Sequence, residues 1–313
     1  MAALIEAAFG YPEPLYRAIR HPVTWMGAWL GALESRLNRS GDSFETRRLL
    51  GVAALALLLI PVGIVGWALD ALASASALGF LVAALVAASL PAQRSLYEHV
   101  EAVARALESG SLEDARRAVS KIVGRNPETL DAHAVARAAI ESLAENFSDG
   151  VVAPLFWTAL AGVTGGLLYK AINTADSMIG HHDARFEAFG WAAAKLDDLI
   201  NLPASRLSAL LIAFAAGVHS RADATRAFEA VYRDAARHRS PNAGWPEAAM
   251  AGALKLRLAG PRVYGRTRVD DPYMGDGRAE ATAADIRSAL ALYRRACLVL
   301  ALALIGMAVI ARI

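Results

Sequence analysis

Leu49–Leu69 reads LLGVAALALLLIPVGIVGWAL and Ala71–Gln93 reads ALASASALGFLVAALVAASLPAQ; apart from Asp70 between them, neither stretch carries a charged residue. As a helix rising about 1.5 Å per residue, each is long enough to cross the roughly 30 Å hydrocarbon core of a bilayer. The pair predicts a tight helical hairpin turning at Asp70. A third apolar run, Ala296–Ala311, is shorter, but Arg294 and Arg295 precede it and Arg312 follows it. Arginines at both ends extend such a span by reaching back to the interfaces.

Composition agrees. Of 313 residues, 56% are hydrophobic and 20% charged, and the mean hydropathy is +0.34. Soluble domains average roughly 45–50% apolar and about 25% charged. The expected fold is all-α: a polytopic integral membrane protein, one membrane-embedded domain over residues 1–313, with spans at 49–69, 71–93 and 296–311. Two further stretches read either as spans or as re-entrant or protein-buried helices. Residues 151–169 are uncharged but carry Pro154 and Gly165-Gly166, which weaken a regular helix. Residues 207–218 are too short to span alone, and such segments suit a cavity lining.

Residues 94–150 read as cytoplasmic amphipathic helices. Leu96, Val100, Val103 and Leu107 repeat at helical spacing. Ser109-Gly110-Ser111 breaks that helix, Ser111 with Asp114 resembles a capping box, and Asn126-Pro127 marks another break. Arg36, Arg39, Arg47 and Arg48 precede the first span, and Arg94, Arg105, Arg116, Arg117, Lys121 and Arg125 follow the second. Basic residues collect on the cytoplasmic side, which puts both regions inside and Asp70 outside. Residues 170–206 hold Lys170, Arg185, Lys195 and Arg206. They would lie outside if 151–169 simply crossed, and their basic content argues for the cytoplasmic face instead.

Several classes are excluded. The net charge of +2 and the absence of a basic run with interleaved aromatics leave no case for nucleic acid. A single cysteine, Cys297, permits neither an intrachain disulfide nor a cysteine metal site. Met1 to Gly10 lack the basic and long apolar regions of a cleavable signal. No G-x-x-x-x-G-K-[ST], G-x-G-x-x-G or H-E-x-x-H motif is present.

Chemistry concentrates between Glu141 and Arg206. Glu141, Glu145 and Asp149 recur every four residues and share one face of a continuing helix, with Asn146 beside them. Lys170, Asn173, Ser177 and Gly180 fall on a narrow helical arc with Asp176 to one side. Lysine holds a phosphate as a point charge, and Asp176 suits Mg²⁺, which takes a few carboxylates plus substrate phosphates. Asp197-Asp198 with Asn201 is a second acidic pair, costly beside membrane helices and so more often functional there. Further on, Ser240-Pro241-Asn242 leads through Gly244-Trp245-Pro246 to Glu247, a turn opening a helix whose N–H groups suit an anion.

Four segments in register resemble the CobD/CbiB family of adenosylcobinamide-phosphate synthases. They are His21-Pro22-Val23 with Gly27; Glu141-Ser142-Leu143 through Glu145-Asn146, Asp149-Gly150 and Pro154-Leu155-Phe156; Tyr169 to Thr174 through Asp176-Ser177-Met178 to Phe189-Gly190, Asp197-Asp198 and Asn201; and Ser240-Pro241-Asn242 through Gly244 to Ala249. The resemblance covers nearly the whole chain. It implies ATP-dependent amide ligation of a corrinoid substrate, adenosylcobyric acid, to an amino-alcohol phosphate, (R)-1-amino-2-propanol phosphate or ethanolamine phosphate. ATP and Mg²⁺ are the implied co-substrate and cofactor, and the cytoplasmic (inner) membrane the implied location. Membrane lipid and other membrane enzymes of the corrinoid pathway are the expected partners.

On that reading Glu141, Glu145, Asn146, Asp149, Lys170 and Asp176 are candidate catalytic residues. His21, Asn173, Ser177, Arg206, Ser240, Asn242 and Glu247 are candidates for substrate or phosphate binding, and Asp149, Asp176, Asp197 and Asp198 for the metal. The sequence departs from the family pattern at Glu6, where Asp is usual, and at Pro203, one residue early. It departs again at Ala259-Gly260 in place of Gly-Gly, and at Asp271, where Arg is frequent. A membrane Mg²⁺-dependent prenyl or phosphoalcohol transferase and a small-molecule transporter are the competing readings. The first lacks a second acidic motif, and the second lacks internal repeats.

Overall fold

The computed structural model describes residues 1–124, 127–181, 183–264, 267–269 and 271–310. Arg125, Asn126, Ala311 and Arg312 of the expectations above lie outside them. Two compact units emerge, each built from two separate stretches: Met1–Ala92 with Ala153–Asn201, and Gln93–Val152 with Leu202–Ile313.

The first unit opens with α1 (Ala2–Phe9), α2 (Glu13–Ile19), α3 (Pro22–Leu37), α4 (Phe44–Ala75) and α5 (Ala77–Ala88). The second contributes α6 (Gln93–Glu108), α7 (Leu112–Val119) and α8 (Ala132–Phe147), the last running into a π-helical turn at Ser148–Val152. The chain returns to the first unit as α9 (Ala153–Ile179) and α10 (Trp191–Ile200). It ends in the second with α11 (Leu202–His219), α12 (Arg221–Asp234), α13 (Gly244–Leu254) and α14 (Ala283–Ile310). Between α13 and α14 lie two small antiparallel ladders, Leu258–Ala259 with Tyr273–Met274 and Arg262–Tyr264 with Thr267–Val269.

Five helical runs are long and apolar enough to cross a membrane: Phe44–Ala75, Ala77–Glu108, Ala132–Ile179, Leu202–His219 and Ala283–Ile310. They take in the expected spans 49–69 and, up to Ile310, 296–311, together with both stretches left open, whereas 71–93 is divided between the first two runs at Ser76. The second run contains a non-helical interruption at 89–92. Large apolar side chains such as Ile60, Ile64, Trp67, Leu298 and Leu302 are exposed along these helices, as a hydrocarbon solvent allows and water does not.

The expected hairpin turn is corrected. Helix α4 runs through Asp70 for about 48 Å, and the break falls at Ser76, whose Oγ accepts from the Gly79 N–H at 3.0 Å. Asp70 does not turn the chain because its charge is satisfied inside the unit. Helix α9 breaks at Ala161 and Gly162, the latter at φ +67°, and the break releases backbone N–H groups. The Asp70 carboxylate accepts from Val163 N at 2.8 Å, Thr164 N at 3.0 Å and Thr164 Oγ1 at 2.6 Å, so it caps the restarted helix. A Cβ at Gly162 would stand 2.7 Å from both carboxylate oxygens. The irregularity expected in 151–169 is therefore real, but it sits at Gly162. Pro154 directly follows the π-helical turn Ser148–Val152, the kind of local adjustment that lets a membrane helix accommodate proline.

The first unit packs Leu30, Leu55, Leu58, Leu90, Ile179 and Phe189 in its core. In the second, Leu96, Val100 and Val103 of the predicted apolar stripe are buried and Leu107 is half-buried. Ser111 Oγ accepts from Asp114 N at 3.2 Å and caps α7 as expected. Phe147 meets Tyr293 edge-on at 5.5 Å, and the Tyr293 hydroxyl donates to Gln93 O at 2.9 Å.

Candidate active site

In the first unit α9 and α10 bring together the acidic residues singled out by spacing. Asp197 is 8% exposed. Its Oδ1 accepts from Asn173 Nδ2 at 3.3 Å and its Oδ2 from Asn201 Nδ2 at 2.9 Å. Asn201 is oriented in turn by the Tyr169 hydroxyl, which donates to its Oδ1 at 3.0 Å. Burial, and then the neighbouring Asp176 carboxylate, push the Asp197 acid up to about 7 against the opposing pull of the two amides; Asp198 adds to the rise. Near neutral pH, Asp197 therefore exchanges its proton readily.

Asp176 owes its place to Gly180, where a Cβ would come within 2.0 Å of Asp176 Oδ1. Asp198 is only half-buried, as expected of adjacent helical positions that diverge by about 100°. Ser177 is exposed, and its hydroxyl donates to Asn173 O at 2.8 Å. Lys170 is half-buried on the same helix.

These residues fit Mg²⁺. Among the described residues no group of three or more His, Cys, Asp or Glu could hold a metal ion by itself. Magnesium does not need one, since it binds through one or two carboxylates and completes its shell with water and substrate phosphate. Asp176 and Asp197, with the amide oxygens of Asn173 and Asn201, are hard oxygen donors of that kind. Asp149, the remaining metal candidate, belongs to the second unit.

His21 has a structural position. Its Nδ1 accepts from Val23 N at 3.2 Å, its backbone N–H donates to Thr24 Oγ1, and its Nε2 meets Ser89 O at 3.0 Å. Only the neutral tautomer protonated at Nε2 satisfies both ring contacts. Burial first, with the Lys170 charge also opposing protonation, lowers its pKa. Nδ1 serves the cap of α3 and Nε2 is engaged by Ser89 O, so neither is left for a phosphate. A cavity of about 660 Å³ in this unit, among Trp25, Trp29, Pro61, Val65 and Leu85, is almost wholly apolar. It supplies shape but no reacting group.

In the second unit the acidic face of α8 is divided. Glu141 is buried, and its Oε1 accepts from Ala259 N at 2.8 Å. Ala259 stands at φ +54° and Gly260 at φ +85°, so this is where a Gly-Gly pair would be at ease and alanine is strained. Glu141 thus pins the strained turn. Glu145 is exposed and Asp149 half-buried, and the π turn that begins at Ser148 ends the strict four-residue repeat. Asn146 Nδ2 donates to Ser142 O at 2.9 Å.

Arg206 meets the Pro241-Asn242 turn, some 35 residues downstream in sequence. Arg206 Nη1 donates to Pro241 O at 3.0 Å, to Ser205 Oγ at 3.0 Å and to Asn242 Oδ1 at 3.1 Å. Its guanidinium lies 4.4 Å over the Trp245 ring. Ser240 Oγ accepts from the N–H groups of Asn242 and Ala243, both at 3.2 Å. Those two N–H groups, just ahead of the helix expected to receive an anion, are thereby used within the turn. Glu247 is 2% exposed in the first turn of α13. Sequence reasoning overlooked Ser205 and the orienting role of Tyr169. It overlooked Asp234 as well, which pairs with Arg233 and Arg237 and accepts from Gly275 N at 2.9 Å. For Asp234, the run Arg233-Asp234-Ala-Ala-Arg237 was the local signal.

Comparison with known proteins identifies the family. The family described as CobD/Cbib protein matches residues 1–293. A cobalamin biosynthesis protein CobD of Sinorhizobium sp is 52% identical over 307 residues, covering 96% of this chain and 94% of the relative. Proteins of the same name from Rhodobacter capsulatus and Brucella suis biovar 1 are 49% and 47% identical, covering 93% and 94% of this chain and 90% of each relative. No solved structure matches. With a family match over almost its full length and relatives near half identity, the chain belongs to the CobD/CbiB family.

Proposed function

We propose that this chain is a membrane enzyme of cobalamin biosynthesis that joins adenosylcobyric acid to (R)-1-amino-2-propanol phosphate, or to ethanolamine phosphate, at the expense of ATP. A carboxylate does not condense with an amine at neutral pH, so it must be activated. Its oxygen attacks the γ-phosphorus of ATP, ADP leaves, and an acyl phosphate forms. The amine then attacks the acyl carbon, inorganic phosphate leaves, and the ammonium proton passes to a base.

The observation that carries this reading is the buried Asp197 carboxylate, presented by Asn173 and Asn201 beside Asp176. Mg²⁺ bound there would screen the triphosphate charge. Lys170 gives the same helix a point charge for phosphate, and Arg206 offers a guanidinium for the acceptor phosphate. The membrane is the cytoplasmic one and the site faces the cytosol, where these substrates arise. Labelling of a cysteine introduced at Ala184 from the outer face alone would contradict that orientation.

The test is the purified full chain in detergent with adenosylcobyric acid, amino-propanol phosphate and Mg-ATP. The expected outcome is one ADP per amide, with the product identified by mass. Product formed without ATP, or ATP consumed without product, would overturn the assignment.

A further inference from the structure

Helix α11 has Arg206 in its first turns and His219 at its end, about 20 Å apart along the axis. At the His219 end the second unit holds a cavity of about 370 Å³ lined in part by His219, Asp223, Lys255, Asp285, Ser288 and Arg295. Its size is that of a small-ligand site, and no residue of the Arg206–Asn242 cluster lines it.

The charges around it do not balance. Asp223 is paired with Arg226. Asp285 is paired with Arg278 and accepts from Thr282 N at 2.7 Å and Thr282 Oγ1 at 2.8 Å. Neither of those arginines lines the cavity, so both acids are neutralised from behind. Lys255 and Arg295 form no ion pair with a described residue; Arg295 Nε reaches only Ala291 O at 3.3 Å. The cavity therefore carries an excess of two fixed positive charges, with His219 as a further donor.

Lys255 is also held in an unusual conformation. It follows α13 at φ 57° and ψ 42°, the left-handed position that usually goes to glycine at a helix end. A lysine is strained there, and packing does not explain it because the residue is exposed. Depth supplies a second argument. His219 ends one apolar helix, and Arg295 directly precedes the apolar run of α14, so the cavity lies at the boundary where phosphate headgroups sit.

We propose that this cavity is an anion site that binds a phosphate group, supplied by an anionic phospholipid or by a free phosphorylated molecule. Lys255 and Arg295 are its principal ligands and His219 an added donor. The site is separate from the Arg206 cluster and does not depend on the ligase assignment.

The test compares the full-length protein with a Lys255→Gly/Arg295→Gln double variant. Glycine relieves the left-handed strain, so the variant should fold. Native mass spectrometry from mild detergent reads retention of phosphatidylglycerol against phosphatidylcholine, and thermal shift reads protection by millimolar inorganic phosphate. A lipid site predicts phosphatidylglycerol retained roughly tenfold better by the wild type than by the variant. A free-phosphate site predicts protection of the wild type alone, with no lipid preference. A Lys255→Arg variant, which keeps the charge, should retain whichever response the wild type shows. Identical behaviour of wild type and double variant in both measurements would overturn the proposal.

Discussion

Asp197→Asn removes one negative charge while keeping the shape of the side chain, and two opposing effects can be sized. Ionising Asp197 in the fold is hard: its pKa lies near 7 instead of 3.8 because the carboxylate is buried and Asp176 is close. At 1.36 kcal/mol per unit, the ionised form costs the fold roughly 4 kcal/mol. Asparagine escapes that cost but turns an N–H toward one of the two amide donors, Asn173 or Asn201, losing about 1–3 kcal/mol. The variant should therefore be more stable than wild type by roughly 1–3 kcal/mol above neutral pH. For wild type, the stability tied to this group is full below 3.8 and is lost as pH rises to about 7. The advantage of the variant thus grows across that window and levels off above it. Turnover should move the other way, falling by about 10²–10³ as the metal–phosphate ligand is lost. Apparent Tm in detergent between about pH 5 and pH 8, beside Mg²⁺ titrations of turnover, reads both effects. A variant that is less stable at high pH and turns over normally at unchanged Mg²⁺ dependence would make Asp197 an ordinary hydrogen-bond acceptor.

Asp70→Ala should lower stability by about 3–6 kcal/mol, because three donors at the α9 break lose their acceptor in an apolar region; an unchanged apparent Tm would contradict the capping role. Glu141→Gln keeps an oxygen for Ala259 N and should retain activity, whereas Glu141→Ala should cost about 1–3 kcal/mol of stability. Equal loss of turnover in both variants at unchanged stability would make Glu141 catalytic. Arg206→Ala should raise KM for the amino-alcohol phosphate roughly tenfold and weaken discrimination against the unphosphorylated amine, measured by steady-state kinetics. Arg206→Lys should not rescue it, since lysine cannot reproduce the fan of Nη1 bonds and the stacking on Trp245. A change confined to the ATP dependence would move Arg206 to the nucleotide.

The apolar runs were legible because hydropathy over twenty residues is a bulk property that survives any detail of packing. The turn at Asp70 was misread for the opposite reason. A lone acid between apolar runs looks like an interface residue until its partners, 93 and 94 positions away in sequence, are known. The Asp197–Asn201 pairing was visible because the two stand one helical turn apart, whereas the approach of Asp176, on another helix, had no local signature. Arg206 and Asn242 were named separately, but their contact depends on α11 packing against α13 and has no local signature. Glu141 shows the limit: its helical spacing with Glu145 and Asp149 pointed to a shared acidic face, while its actual partner is a backbone N–H 118 residues downstream. For His21, the local signal was there to be used, because proline directly after it is the mark of a first helical residue and makes the histidine a cap.

The central claim is that the enzyme activates a carboxylate by phosphoryl transfer from ATP, and the path of one oxygen tests it most directly. Adenosylcobyric acid labelled with ¹⁸O in the reacting carboxylate is turned over with Mg-ATP and amino-propanol phosphate, and the released phosphate is analysed by mass. The account predicts one ¹⁸O in inorganic phosphate for each amide formed, with ADP unlabelled. Label appearing in AMP, or absent from inorganic phosphate while amide accumulates, would contradict it.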